Sequence, residues 1–262
     1  MADNKNVETT TYLLAIRFVG TAYHGSQIQS NAVTVQSVFQ GALCSALGTL
    51  PDIKMCSRTD SGVHALEFCI SFETSGCIRE DKLVLALNSY LPADIRAISA
   101  RKVPKGFHAR YCSSGKQYIY RVYNSHIMDP FENGLAAQFI PHIDEIQLNE
   151  IAQVFVGKHD FRAFCSIKTD VESTVRTVTE YRVSRSDNVV EFSVSADGFL
   201  YNMARIMVGT LLNCARGKLG YKEIEHALKT GERSNLLATA PACGLYLAKV
   251  FYDETKLNLK VI

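Results

Sequence analysis

The chain has 262 residues, is 47% hydrophobic and carries a net charge of +2, a size that suits one large domain or two closely packed ones. No run of about 18 apolar residues occurs, so no membrane-spanning helix is expected, and the polar start MADNKNVETTT lacks the apolar stretch of a secretory signal, so residues 1–11 are expected to form a disordered tail. Eight cysteines include no CxxC pair and sit mostly among apolar neighbours, as in GALCSAL, EFCISF and LLNCARG; they offer no zinc site and read as buried, reduced thiols of a cytoplasmic protein.

In chain order, YLLAIRFVG (12–20) reads as a strand. TVQSVFQGALCSAL (34–47) is a helix with Val35, Val38, Phe39, Ala42, Leu43, Ala46 and Leu47 on one face and Thr34 as its N-cap. LEFCISFET (66–74) alternates Phe68, Ile70 and Phe72 against Cys69, Ser71 and Glu73, the pattern of a strand with one buried face. A helix over 81–90 and an extended segment over 94–103 follow. The second half repeats the rhythm, with a strand at 116–124 and a helix at 144–157 whose face is Leu148, Ile151, Ala152 and Phe155. Residues 175–196 read as a hairpin turning at SRSDN, with Val190, Phe192 and Val194 inward. The helix over 201–217 is apolar nearly all round and therefore expected to be buried, and 244–252 is a closing strand. This order predicts an α+β fold of two related lobes, each an antiparallel sheet backed by helices. The lobes are expected at 12–108 and 109–262, with a basic active-site cleft between them.

The acids are unevenly spread. None occurs between Asp94 and Asp129, an interval that holds Arg96, Arg101, Lys102, Lys105, Arg110, Lys116 and Arg121 together with Phe107, Tyr111, Tyr118, Tyr120 and Tyr123. A second acid-free interval, from Gly198 to Lys222, holds Arg205, Arg216 and Lys218. Cations neutralise phosphates and aromatic faces stack on unpaired bases, so the two intervals point to a nucleic-acid surface.

SRTDSGVHA (57–65) is the candidate for chemistry. Asp-Ser-Gly by itself is ordinary turn chemistry. However, Asp60 immediately precedes a strand, so its loop lies at a sheet end, and Arg58 two residues earlier can share its side of an extended segment. A guanidinium nearby keeps a carboxylate ionised, which makes it a nucleophile or base. Arg205 interrupts an apolar helix, and a guanidinium drawn toward a core needs a partner. His64 and His159 read as backbone-bonded histidines rather than ligands.

RTDSGVHA, together with KQYIYRVYN, GKHDFRAFCS, FLYNMARIMVG and APACGLYL, resembles the TruA family of tRNA pseudouridine synthases, and FVGTAYHGSQIQ, TVQSVFQGAL and LNSYLPADIRAISA fit the same pattern. The resemblance runs from about Tyr12 to Tyr252. It implies that Asp60 is the catalytic carboxylate acting at the glycosidic carbon of a uridine, by covalent attack or through a glycal. It implies further that Arg58 helps extrude the base, Tyr118 stacks on the uracil, Arg205 partners the carboxylate and Leu245 packs against the base. A redox-neutral isomerisation needs no cofactor and no metal. The family also implies a tRNA partner, action at positions 38–40 of the anticodon arm, and a homodimer. The chain departs from the pattern at Ser26, where the family usually has tryptophan, a large packing or RNA-contact surface, at Ser57 for glycine, and at Ser61 for alanine. Three other readings compete: a catalytically silent RNA-binding protein of the same fold, a related synthase with another tRNA target, and a nucleoside or glycoside hydrolase. The last usually needs a second carboxylate, which no motif near Asp60 offers.

Overall fold

The computed structural model describes residues 9–166, 172–235 and 237–257. The chain divides into two compact units, residues 1–114 with 249–262, and residues 115–248. This differs from a single break after residue 108, because the chain's end returns to the first unit. There the Tyr252 hydroxyl donates to Ala109 O at 2.7 Å and the Val250 N–H donates to Glu67 Oε1 at 3.0 Å.

The first unit contains β1 (Thr9–Phe18), α1 (Val35–Leu47), β2 (Ile53–Met55), β3 (His64–Ser75), α2 (Glu80–Asn88) and β4 (Ile95–Val103). Its strand order is β4-β1-β3, all antiparallel, with β2 also paired to β3. Thr9, Thr10 and Thr11 lie opposite Ser75, Thr74 and Glu73, so β1 begins inside the segment expected to be a tail; residues 1–8 fall outside the described residues. Three threonines suit a ladder because β-branched side chains fit a pleated surface.

Thr34 caps α1 as expected, its Oγ1 accepting from the Ser37 N–H at 3.2 Å. Val35, Phe39, Ala42 and Leu43 are buried, while Val38, Ala46 and Leu47 are half-buried. β3 is a correction. Cys69 and Ser71 are as buried as Phe68, Ile70 and Phe72, so this part of the strand is covered on both faces. Alternating polarity marked one face as wet, but Ser71 tolerates burial by accepting the Ala109 N–H at 2.9 Å. The cysteines also split. Cys56, Cys69, Cys165 and Cys214 are buried, whereas Cys44 and Cys77 are exposed, and all eight are free of disulfides.

The second unit contains β5 (Ser113–Tyr123), β6 (Ala137–Gln138), α3 (Glu145–Ala152), β7 (Gly157–Asp160), β8 (Val175–Ser186), β9 (Val189–Ala196), α4 (Met203–Ala215), α5 (Tyr221–Thr230) and the start of β10 (Leu245–Tyr252). A short α6 (Glu254–Leu257) follows in the first unit. The order here is β10-β5-β9-β8-β7, with β6 parallel on β5. The hairpin β8–β9 turns at Asp187, whose φ is 51°, and buries Val190, Phe192 and Val194 as expected. α3 stops short of the expected end: its Asp144 cap accepts from Ile146 and Gln147, and the helix tightens into a 3-10 turn over Gln153–Phe155. α4 is buried along its length, with only Arg205 and the terminal Ala215 half-buried. Mixed helices and sheets make this an α+β protein. No described helix is long and apolar enough to cross a membrane.

Candidate active site

In the first unit the loop from Ser57 to Val63 joins β2 to β3, with Arg58 exposed and Asp60 half-buried. The segment from Gly20 to Ser26 is laid along it. The Thr59 N–H donates to Ser26 Oγ at 2.8 Å, and the Ser26 N–H returns a bond to Thr59 O at 3.1 Å. The Gly62 N–H and the Ser61 hydroxyl both donate to Tyr23 O, at 3.3 and 3.2 Å. The Gly20 N–H donates to His64 Nδ1 at 2.9 Å, so His64 is a buried structural acceptor.

The close approach has a backbone cause. Gly25 sits at φ +86°, where L side chains are strained, and a Cβ there would lie 2.6 Å from Thr59 O. Helix α1 fixes the strap in turn. Its first N–H groups, which have no intrahelical acceptor, donate from Val35 to Gly25 O at 3.2 Å and from Gln36 to Ser26 O at 3.0 Å. A helix terminus thus holds the carbonyls of Gly25 and Ser26, and Ser26 in turn holds Thr59 before Asp60, while Tyr23 holds Ser61 and Gly62 after it. Ser26 is fully buried. It is therefore not a shrunken RNA contact but an anchor for the loop.

In the second unit Arg205 leaves α4 half-buried. Its Nε donates to Ala240 O at 2.8 Å and its Nη1 to Asn202 Oδ1 at 3.0 Å, while the Ala240 N–H donates to Arg205 O at 3.1 Å. Asn202, at φ 62°, stands just before α4 and is itself tied to Ser166 Oγ at 2.8 Å. One turn after Arg205, Gly209 lets the loop ahead of β10 come close, since a Cβ would sit 2.1 Å from Ala238 O. The Tyr120 hydroxyl donates to Pro241 O at 2.8 Å. Residues 238–245 are thereby held between α4 and β5. Leu245 ends this segment, buried at 7% exposure. Tyr118 is equally buried and meets Phe199 edge-on at 4.8 Å.

The cations and aromatics of the first acid-free interval separate by role. Arg121 is ion-paired with Glu132 at 3.0 Å and Glu191 at 3.4 Å. Arg96 donates to the carbonyls of Leu91 and Ile95. Lys102, Lys105 and Arg110 are exposed. Phe107, Tyr118 and Tyr120 are buried, whereas Tyr111 is 77% exposed. His159 binds the carbonyl of Val156 at 3.1 Å. Among the described residues no cluster of three metal-ligating side chains occurs.

Sequence reasoning did not single out Tyr23, Gly25 or Asn202, and it read Ser26 only as a departure. Their partners lie far away in the chain, 33 residues in the case of Ser26 and Thr59. Only the dense FVGTAYHGSQ stretch, with two glycines near a strand end, hinted at a close backbone approach.

A family model described as tRNA pseudouridine synthase matches residues 14–112 and 151–253. The chain is 42% identical over 240 residues to tRNA pseudouridine synthase A of Ruminiclostridium cellulolyticum, covering 91% of this chain and 98% of that protein. It is 40% identical over 239 residues to the protein of the same name from Acetivibrio thermocellus, with 91% and 98% covered. For the Staphylococcus aureus protein the identity is 39% over 246 residues, with 94% and 92% covered. The chain belongs to the tRNA pseudouridine synthase family, whose members are isomerases.

Proposed function

We propose that this protein converts uridine to pseudouridine in the anticodon stem-loop of tRNA, at the positions named above, with the Asp60 carboxylate as nucleophile on a flipped-out uridine. A uridine within a stacked arm exposes its C1′ only when it leaves the stack. Arg58, exposed on the Asp60 loop, extrudes the base and takes its place. The carboxylate attacks C1′, the C1′–N1 bond breaks, and the electron pair leaves with the uracil. The uracil turns, C5 bonds to C1′, and the carboxylate is released. The C5 proton is lost and N1 gains one, so nothing is oxidised or reduced and no cofactor is consumed.

Tyr118 stacks on the uracil and assists removal of the C5 proton, and Leu245 packs against the ring. Arg205 is a further substrate-binding residue, and its support by Asn202 and Ala240 fixes the guanidinium before substrate arrives. Such preorganisation matters because a group already held in place loses little freedom as charge develops. The protein acts as a homodimer in the cytoplasm.

The observation that carries this reading is the strapping of the Thr59 and Gly62 backbone and the Ser61 hydroxyl by Ser26 and Tyr23, which leaves Arg58 exposed beside a half-buried carboxylate. A carboxylate of a mere surface turn would need no such support. The test is to incubate wild type and Asp60→Asn with an unmodified tRNA transcript and map pseudouridine by position. Wild type should form product in the anticodon arm, and the variant should fold, bind tRNA and form none. Product from Asp60→Asn, or none from folded wild type, would refute the reading. Product at other positions would favour the related synthase with a different target.

A further inference from the structure

The chain between β4 and β5 presents a feature that the uridine site does not use. Phe107 and Ala109 point inward: the Phe107 ring lies 5.5 Å from that of Tyr252, the Ala109 N–H donates to Ser71 Oγ at 2.9 Å, and Ala109 O accepts the Tyr252 hydroxyl at 2.7 Å. The residues between and after these anchors point outward. The Arg110 N–H donates to His108 Nδ1 at 3.1 Å, the Cys112 N–H to His108 O at 2.9 Å, and the Ser113 hydroxyl to Arg110 O at 2.8 Å. On this tied backbone Tyr111 stands 77% exposed, its ring 4.3 Å from the His108 ring at 40° and 5.9 Å from the Arg110 guanidinium carbon.

We propose that Tyr111, backed by His108 and flanked by Arg110, is a stacking platform for an unpaired base of the RNA substrate, separate from the residues that bind the reacting uridine; the proposal rests on the tRNA reading. A ring this exposed contributes little to a core, so its removal costs the fold little. It is nevertheless positioned by the His108 imidazole and a hydrogen-bonded loop, so a base landing on its exposed surface orders few side-chain torsions. Because His108 Nδ1 accepts a bond, its proton sits on Nε2. Burial and the neighbouring Lys54 favour the uncharged ring.

The surroundings choose the ligand. Lys105 and Arg110 are exposed on the same loop, and Asp52, the acid near His108, is paired with Lys54. Cations beside an aromatic face suit a nucleotide, whose phosphate they neutralise while its base stacks, a sequence-tolerant contact because every base has a π-face. Folded RNA offers such bases in its loops.

The test compares wild type, Tyr111→Ala and Tyr111→Phe for binding to an unmodified tRNA transcript at fixed salt, and for the single-turnover rate of pseudouridine formation at saturating protein. Tyr111→Ala should weaken tRNA binding about 5- to 150-fold, the range for one base–aromatic stack. Tyr111→Phe should bind within about twofold of wild type, since the ring and not the hydroxyl stacks. The saturated rate and the thermal midpoint should not change. Wild-type affinity in Tyr111→Ala, or an equal loss in Tyr111→Phe, would overturn the platform while wild-type activity leaves the tRNA reading intact. If wild type itself neither binds tRNA nor forms pseudouridine, both readings fall together.

Discussion

Replacing Ser26 by alanine isolates one link between the strap and the Asp60 loop. Three hydrogen bonds run through Ser26: its Oγ accepts from Thr59 at 2.8 Å, its N–H donates to Thr59 O at 3.1 Å, and its carbonyl accepts from Gln36 at 3.0 Å. Alanine removes only the first. Because Ser26 is fully buried, the space left is about one oxygen atom, too small to admit a water that would replace the acceptor. The Thr59 N–H then loses its partner, at a cost of about 1–3 kcal/mol. Against a typical total of about 5–15 kcal/mol the protein stays folded, and the two backbone bonds keep the strap in place. The loop that carries Asp60 loosens, and a displacement near 1 Å at a reacting group costs about a hundredfold in rate. A urea titration should therefore show a loss of about 1–3 kcal/mol with an unchanged slope. Single-turnover pseudouridine formation should fall about 10- to 100-fold while tRNA affinity stays within about twofold. A variant within about 0.5 kcal/mol of wild type that also keeps the wild-type rate would show that Ser26 does not position the loop.

Two further expectations concern other parts of the chain. Gly209→Ala sets helix propensity, a gain of about 1 kcal/mol, against a Cβ placed 2.1 Å from Ala238 O and 3.0 Å from Ala240 N, both backbone atoms. Overpacking should win by about 1–3 kcal/mol, read as a lower urea midpoint; a variant as stable as wild type would show that the segment holding Arg205 is free to shift. Burial, with Lys54 and Arg110 nearby, holds the His108 pKa below the ordinary histidine value. The unfolded chain therefore binds the proton more readily, so this residue's contribution to stability is full above the ordinary histidine pKa and is lost as pH falls through the range between the two values. A histidine NMR titration should place His108 below free histidine, and a midpoint at or above the free value would contradict the described environment.

Local pattern and tertiary context contributed differently. Helix α1 was legible because its apolar spacing and its Thr34 cap are local, within four residues of each other. The buried face of β9 was legible for the same reason. β3 was misread because Ser71 owes its burial to an N–H 38 residues away, which no alternation of polarity records. β10 was placed whole in the second lobe, whereas its last residues belong to the first unit, because their anchors at Glu67 and Ala109 lie 183 and 143 residues distant. Helix α5, which was not anticipated, opens at Gly220 with a bond to Glu223 rather than with a serine, threonine, aspartate or asparagine.

The sequence by itself determined the class of the fold, the family, and the residue types available for the chemistry, because periodicity, caps and short motifs are properties of neighbouring residues. Only the tertiary structure decided that Ser26 supports the Asp60 loop, that Arg121 is spent on two glutamates, and that Tyr111 alone among five aromatics of its interval stands broadly exposed. The physical reason is that exposure and hydrogen-bond partnership depend on which distant segments pack together, and a buried ring and an exposed one are written with the same letter.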